Sequence, residues 1–360
     1  MPTTKGYRSY HGKGGAGRIV LIVLIVLLCL ILLAAVGFLA LQRYAVYDSD
    51  GNIRFELPWR SEKEPDVTPE QDPAAPPADE KPDVEIVIEE PPKTQLKELH
   101  VQELDQSVLR GSAETALAAL PENINAVAVR VKNSAGELLY DSKLSEAIDA
   151  GAVKGGSISR AAIETLTASD RYTVARINAT HDSIYSFAHM KDAGVLQLKH
   201  QGYIWYDPDS TFYLAPEKSA ARAYITAIAR ECAELGFNEL LFDEFGYPPR
   251  GRLSNIDESE RTMTKQEALS LLAGELRESV KEQGVKLSVE LDAQTVLTGS
   301  NEKTGQVLSS LAAEFDRIYV STTAEQLPEL RAAMEPYDAE LVPILSGPAA
   351  EGSYLLAAQN

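Results

Sequence analysis

Seven short apolar segments separated by amphipathic stretches predict an α/β fold, a (β/α)8 TIM-like barrel. Two observations support this over an open doubly wound sheet. The pattern runs from residue 96 to 360, roughly 265 residues, close to the size of such a barrel. No glycine-rich phosphate turn follows the first segment, whereas an open nucleotide-binding sheet would want one. The glycines of Gly12–Gly17 precede the long apolar run described next and read as flexible tail.

The elements before the barrel are expected to be one transmembrane helix and a disordered Pro/Glu-rich stalk. Residues 19–41 are uninterrupted by any charge. As a helix they would span roughly 34 Å, enough for a hydrocarbon core of about 30 Å. A cleaved signal peptide would have a shorter apolar core and a small-residue cleavage site. Lys5, Arg8, Lys13 and Arg18 lie in the tail of residues 1–18, against Arg43 alone on the far side. The positive-inside bias therefore keeps the N-terminus cytoplasmic and sends the C-terminal domain outside the cell membrane, as a single-pass protein. Residues 42–95 alternate proline with acidic residues (EKEPDVTPEQDPAAPPADEKPDVE), a composition that buries too little apolar surface to fold. Within it Glu85–Glu89 alternates like a short strand.

Residues 96–360 supply the barrel. Its expected strands are Lys97–Gln102, Asn125–Val131, Tyr172–Asn178, Glu239–Asp243, Lys286–Asp292, Arg317–Ser321 and Leu341–Ser346, with Ser353–Ala358 a weaker eighth. The clearest helices are Pro216–Leu235, Thr264–Gln283 and Thr323–Met334. Pro216 suits a first helical turn and Gly236 a position just past a helix end.

Alternation along each strand sorts the side chains. Val127, Val129 and Val131 share the helix side, leaving Ala126, Ala128 and Arg130 inward, with Lys132 continuing that register. By the same count Arg176, Asp243, Glu290 and Asp292 point inward. Each lies near its strand's C-terminal end, where TIM-barrel enzymes carry their active sites. His100 is expected inward on the first strand as a polar filler. Glu244 follows Asp243 and should point away while the strand lasts. Two readings of the charged cluster stay open. Either the ions pair to plug the barrel, or two carboxylates flank a substrate bond while arginines hold hydroxyls.

Gly202–Pro216 (GYIWYDPDSTFYLAP) is rich in aromatics. Trp205 and Tyr206 could form a carbohydrate platform, extended by Tyr247, or simply pack the loop onto the barrel.

Other chemistries fit poorly. An excess of 19 negative charges argues against nucleic acid as a partner. Two cysteines make no disulfide framework or zinc ribbon. His181, His189 and His200 lack metal-ligand spacing, and no Gly-x-Ser-x-Gly elbow occurs. No metal and no cofactor are expected.

The stretches INAVAVRVKNSAGELLYDS (Ile124–Ser142), TVARINATHD (Thr173–Asp182), GYIWYDP (Gly202–Pro208) and IARECAELGFNELLFDEFGYP (Ile228–Pro248) resemble the "putative glycosyl hydrolase domain" family. Its members are bacterial TIM barrels distantly similar to α-amylase-type barrels. The resemblance covers most of residues 96–345. It implies carbohydrate chemistry, with Asp243 as the leading catalytic residue and Glu290 as general acid/base. Arg130, Lys132, Arg176, Trp205, Tyr206, Glu244, Tyr247 and Asp292 are the substrate-binding candidates. Two positions depart from the family's pattern. Arg130 stands where the family has an Asp, and Glu244-Phe245-Gly246 stands where it has Tyr-Val-Arg.

The expected function is that of a membrane-anchored extracellular glycoside hydrolase-like protein. Its partners would be a polysaccharide or peptidoglycan-type glycan and, through residues 19–41, the lipid bilayer. The alternative is a catalytically inactive barrel that binds glycan or scaffolds the cell wall.

Overall fold

Eight parallel strands close on themselves: β1 (His100–Leu104), β2 (Ala126–Lys132), β3 (Tyr172–Asn178), β4 (Glu239–Asp243), β5 (Lys286–Leu291), β6 (Arg317–Ser321), β7 (Glu340–Leu345) and β8 (Tyr354–Leu356). Each pairs with the next, and β8 pairs with β1, so no barrel edge is left open. This is the expected (β/α)8 architecture.

The computed structural model describes residues 96–198 and 202–357, and the backbone of an antiparallel strand pair, Ala45–Tyr47 with Ile53–Phe55. That pair falls within the expected stalk. The apolar run 19–41, the rest of 42–95 including Glu85–Glu89, and His200 lie outside the described residues. Among the described residues no helix is long and apolar enough to cross a membrane. The chain divides into two units, residues 1–86 and 87–360.

The alternation read from the sequence sets the two layers of the core. Val127, Val129, Ile177, Leu240, Phe242, Val289 and Leu291 pack outward against the helices. Leu99, Val101, Ala126, Ala128, Val174, Leu241, Tyr319 and Val342 fill the barrel. Helix Ser219–Glu234 buries Ala221, Tyr224, Ile225, Ile228, Ala229, Cys232 and Ala233, a 3.6-residue stripe. Its Glu231 accepts from Tyr140 Oη, Ser142 Oγ and the Lys143 N–H, clamping the helix to a two-strand extension (Leu138–Tyr140 and Val153–Ile158) beside β2. Helix Lys265–Ser279 starts with a capping box between Thr264 and Glu267.

Three local expectations are corrected. Helix Ser219–Glu234 begins three residues after Pro216, because residues 216–218 form a turn in which the Pro216 carbonyl accepts from Arg222 and Lys218 is extended. His100 lies on the opposite side of β1 from Val101 and stacks outside the barrel on Tyr354, ring centroids 4.7 Å apart. Lys132 leaves the inward register because of a bulge. Arg130 pairs with Arg176 but Lys132 with Ile177, so the chain slips by one residue at Val131.

The N-terminal end of the barrel is closed by polar pairing. Glu239, fully buried, accepts from Tyr172 Oη (3.0 Å), Ser288 Oγ (2.5 Å) and Arg317 Nη1 (2.6 Å). The C-terminal end stays open.

Candidate active site

Parallel pairing sets Arg130 directly beside Arg176 on the neighbouring strand. Two adjacent guanidinium groups repel, and burying them is costly unless carboxylates intervene. Three do. Arg176, only 6% exposed, donates Nη1 to Glu103 Oε2 (2.8 Å) and Nη2 to both Glu290 Oε2 (2.6 Å) and Asp243 Oδ2 (3.3 Å). Arg130 Nη1 donates to the same Asp243 oxygen at 2.6 Å, and its Nη2 lies 3.9 Å from Glu103. Asp243 Oδ1 is buried and has no hydrogen-bond partner.

Arg130, Arg176, Asp243 and Glu290 line a cavity of about 640 Å³, which also takes in Asn178, Glu244, Tyr247, Asp292 and Ser321. Its far wall is the hairpin Ser300–Asn301/Gln306–Val307. Gln306 donates to the Phe245 carbonyl, and the Tyr247 N–H donates to the Thr304 carbonyl. Gly246 permits this approach. A Cβ there would meet Thr304 Cβ and O at 3.1 Å, tighter than ordinary van der Waals contact.

The network carries three carboxylates against two guanidiniums, so one proton neutralises it. Glu290 is the group disposed to hold that proton. Burial first, and then the Asp243 carboxylate, raise its pKa above the ordinary glutamate range, against the pull of Arg176 and a 3.2 Å bond from Ser321 Oγ. Asp243 and Glu290 oxygens bonded to one nitrogen lie at most about 6 Å apart. Carboxyl spacings of about 5–5.5 Å belong to retaining glycosidases and about 6.5–9.5 Å to inverting ones.

Of the sequence candidates, Arg130, Arg176, Asp243 and Glu290 meet in this cluster. Glu244 joins them at the mouth, against expectation. The strand ends at Asp243, and Glu244 turns into the left-handed region (φ 50°) with its carbonyl held by Thr180 Oγ1 and the Gly246 N–H. The residue keeps solvent contact while its carboxyl sits in the concavity. Loss of hydration, then Asp243 and Glu290, raise its pKa.

The remaining candidates are placed differently. Lys132 is sealed beneath the mouth, 2.9 Å from Asp182 Oδ2 and donating to the Asn178 carbonyl. Asp292 touches the cavity, but β5 ends at Leu291 and the carboxylate caps helix Ala293–Thr298, accepting the Thr295 N–H at 2.7 Å. Trp205 is 2% exposed, packed with Val195, Tyr213, Ala215 and Ile256, and donates to the Arg252 carbonyl. Tyr247 lines the cavity with its hydroxyl turned to Glu217 at 2.5 Å. Tyr206 stands exposed.

The sequence pattern ends the first strand at Gln102 and so omits Glu103. The strand runs to Leu104, and the alternation Leu99-Val101-Glu103 carries the inward register to the mouth. Ser321 and the hairpin residues gave no sequence signal of their own. Among the described residues no group of three or more His, Cys, Asp or Glu could hold a metal ion.

Several solved structures share distant similarity with this chain. A hypothetical protein from Ruminiclostridium thermocellum is 22% identical over 52% of this chain and 96% of its own, with a TM-score of 0.44. The PgaB (BpsB) glycoside hydrolase domain from Bordetella bronchiseptica is 14% identical over 70% of this chain and 84% of its own (TM-score 0.47). A variant of the PelA glycoside hydrolase domain from Pseudomonas aeruginosa is 12% identical over 69% and 83% (TM-score 0.40). These likenesses are too distant to transfer a substrate or a residue role. No curated protein matches the chain. The family model described as "Putative glycosyl hydrolase domain" matches residues 110–332, more than half of the sequence, and the chain belongs to that family.

Proposed function

We propose that the protein hydrolyses glycosidic bonds of an extracellular or cell-envelope polysaccharide, with Asp243 as nucleophile and Glu290 as general acid/base. The observation that carries this reading is the sharing of Arg176 Nη2 by the two carboxylates at the open end of the barrel. Arg130 and Arg176 both donate to Asp243 Oδ2 and leave Oδ1 unbonded. Glu290 keeps its proton until the leaving oxygen needs it. Asp243 would form a bond to the anomeric carbon as the glycosidic C–O bond breaks and the Glu290 proton passes to the departing oxygen. Water, giving its proton back to Glu290, would then hydrolyse the ester and release the sugar with retained configuration.

Residues 19–41 are assigned to a single membrane span, with residues 1–18 cytoplasmic and the barrel outside, carried on the segment 42–95. Residues 19–41 would contact the bilayer, and the barrel a peptidoglycan-type or other envelope glycan.

The second reading is a barrel that binds glycan without turnover. What favours it is the closed pairing of all three inner carboxylates with the two arginines. Reducing-end release by the full-length protein and by its Asp243→Asn and Glu290→Gln variants separates the two. The hydrolase reading expects each change to cost at least about 100-fold, within the range of acid–base and nucleophile losses. Glycan binding with no release by the wild type would establish the binding module instead.

A further inference from the structure

The mouth holds more negative than positive side chains, and its positive ones are already engaged. Arg130 and Arg176 line the cavity with Asp243, Glu244, Glu290 and Asp292, while Glu103 reaches the two guanidiniums at the barrel interior. Every carboxylate here except Glu244 has a partner: Glu103, Asp243 and Glu290 the arginines, Asp292 its helix. The Glu244 carboxylate makes no hydrogen bond and no ion pair among the described residues, and it stands in the cavity. The nearby cation on the rim, Arg250, pairs with Asp207 and Asp209.

A second observation is independent of that charge excess. Asn178, 3% exposed and paired in register with Asp243, lines the cavity with its Oδ1 buried and unbonded. The catalytic reading makes no use of this atom. A buried acceptor without a donor is costly, so the site is complementary to a ligand that donates.

We propose that this mouth selects a glycan with free amino groups, a hexosamine unit whose ammonium is accepted by Glu244 and Asn178 Oδ1, with Glu244 setting the preference. An ammonium brings three donors, no acceptor and one positive charge, which is what the unfilled positions call for. N-acetylation removes the charge and adds bulk. A uronate would bring a further carboxylate into a cavity whose guanidiniums are occupied. The inference rests on the polysaccharide reading above and narrows its substrate class.

The test uses full-length protein and isothermal titration at neutral pH. The probes are a glucosamine tetramer, its fully N-acetylated counterpart, a galacturonate tetramer and tetralysine. Tetralysine controls for attraction to the net charge of −19. The glucosamine tetramer is expected to bind at least about tenfold more tightly than the other three, the scale of a charge-assisted hydrogen bond in a partly enclosed site. Glu244→Gln should abolish the preference, bringing the affinities for the glucosamine tetramer and the N-acetylated tetramer together. Equal or tighter binding of the acetylated sugar, the uronate or tetralysine would overturn the inference, as would a preference that survives in Glu244→Gln. Those results leave the hydrolase reading standing. Failure of the folded wild type to bind the glucosamine tetramer would also overturn the inference, while the hydrolase reading, which names no sugar, is decided by the reducing-end assay above.

Discussion

Arg176 governs the chemistry of the mouth because its guanidinium is the common partner of Glu103, Asp243 and Glu290. It opposes the effect of burial on Glu290 without cancelling it, so the carboxyl titrates above the usual glutamate range. The direction of the pH effect follows. In the proposed mechanism the protonated form donates to the leaving group, so activity is expected below the raised pKa and is expected to fall as pH rises through it. The kcat/KM profile should therefore show an alkaline limb above the ordinary glutamate value that disappears in Glu290→Gln. A limb unchanged in that variant would assign the proton to another group, with Glu244, also raised, the first to examine. At this scale the sequence was readable wherever a strand kept its alternation. Arg130, Arg176, Asp243 and Glu290 were placed by counting alone. Glu244 was not, because a backbone turn into the left-handed region overrides parity and no propensity signals it in a glutamate.

The elements show where counting stops. β3, β4 and β6 have the limits expected from their apolar runs, since a buried parallel strand reads as a continuous hydrophobic segment. β2 carries a bulge that its sequence, AVAVRVK, does not announce. The single-residue slip moves Lys132 from the mouth to a sealed pair with Asp182, whose other oxygen caps helix Ser183–Ala188. A residue or two of strand length decides Asp292 and Glu103, the first being a helix cap and the second a partner of the two arginines. The buried pair makes a prediction at this scale. Lys132→Met leaves the Asp182 carboxylate without its cation and should cost about 3–5 kcal/mol of stability, read as a lowered Tm. Hydrolysis per folded molecule, measured well below that Tm, should be unchanged. Lost activity with an unaltered Tm would return Lys132 to the active site.

For the whole molecule, the barrel's polarity couples stability to function. One end is closed by Glu239, Arg317, Tyr172 and Ser288, and the other opens where the inward charges gather. Composition predicts a boundary near residue 96, because a charge-free run of 23 residues and a proline-acid stretch differ from the regular βα units that follow, and the run lies outside the described residues. If residues 19–41 span a bilayer, the full chain should remain with membranes after an alkaline carbonate wash, and removal of those residues should release it. Release of the intact chain by the wash would contradict the anchor. The mechanism proposed above has Asp243 react at the anomeric carbon while Glu290, across the scissile bond, protonates the leaving oxygen. Its most direct test is mass spectrometry of the full-length protein after reaction with an activated fluorosugar that accumulates the glycosyl-enzyme. The account predicts one added glycosyl group on the carboxylate of Asp243, absent in Asp243→Asn; a label on any other residue, or stoichiometric turnover with inversion and no label, would contradict it.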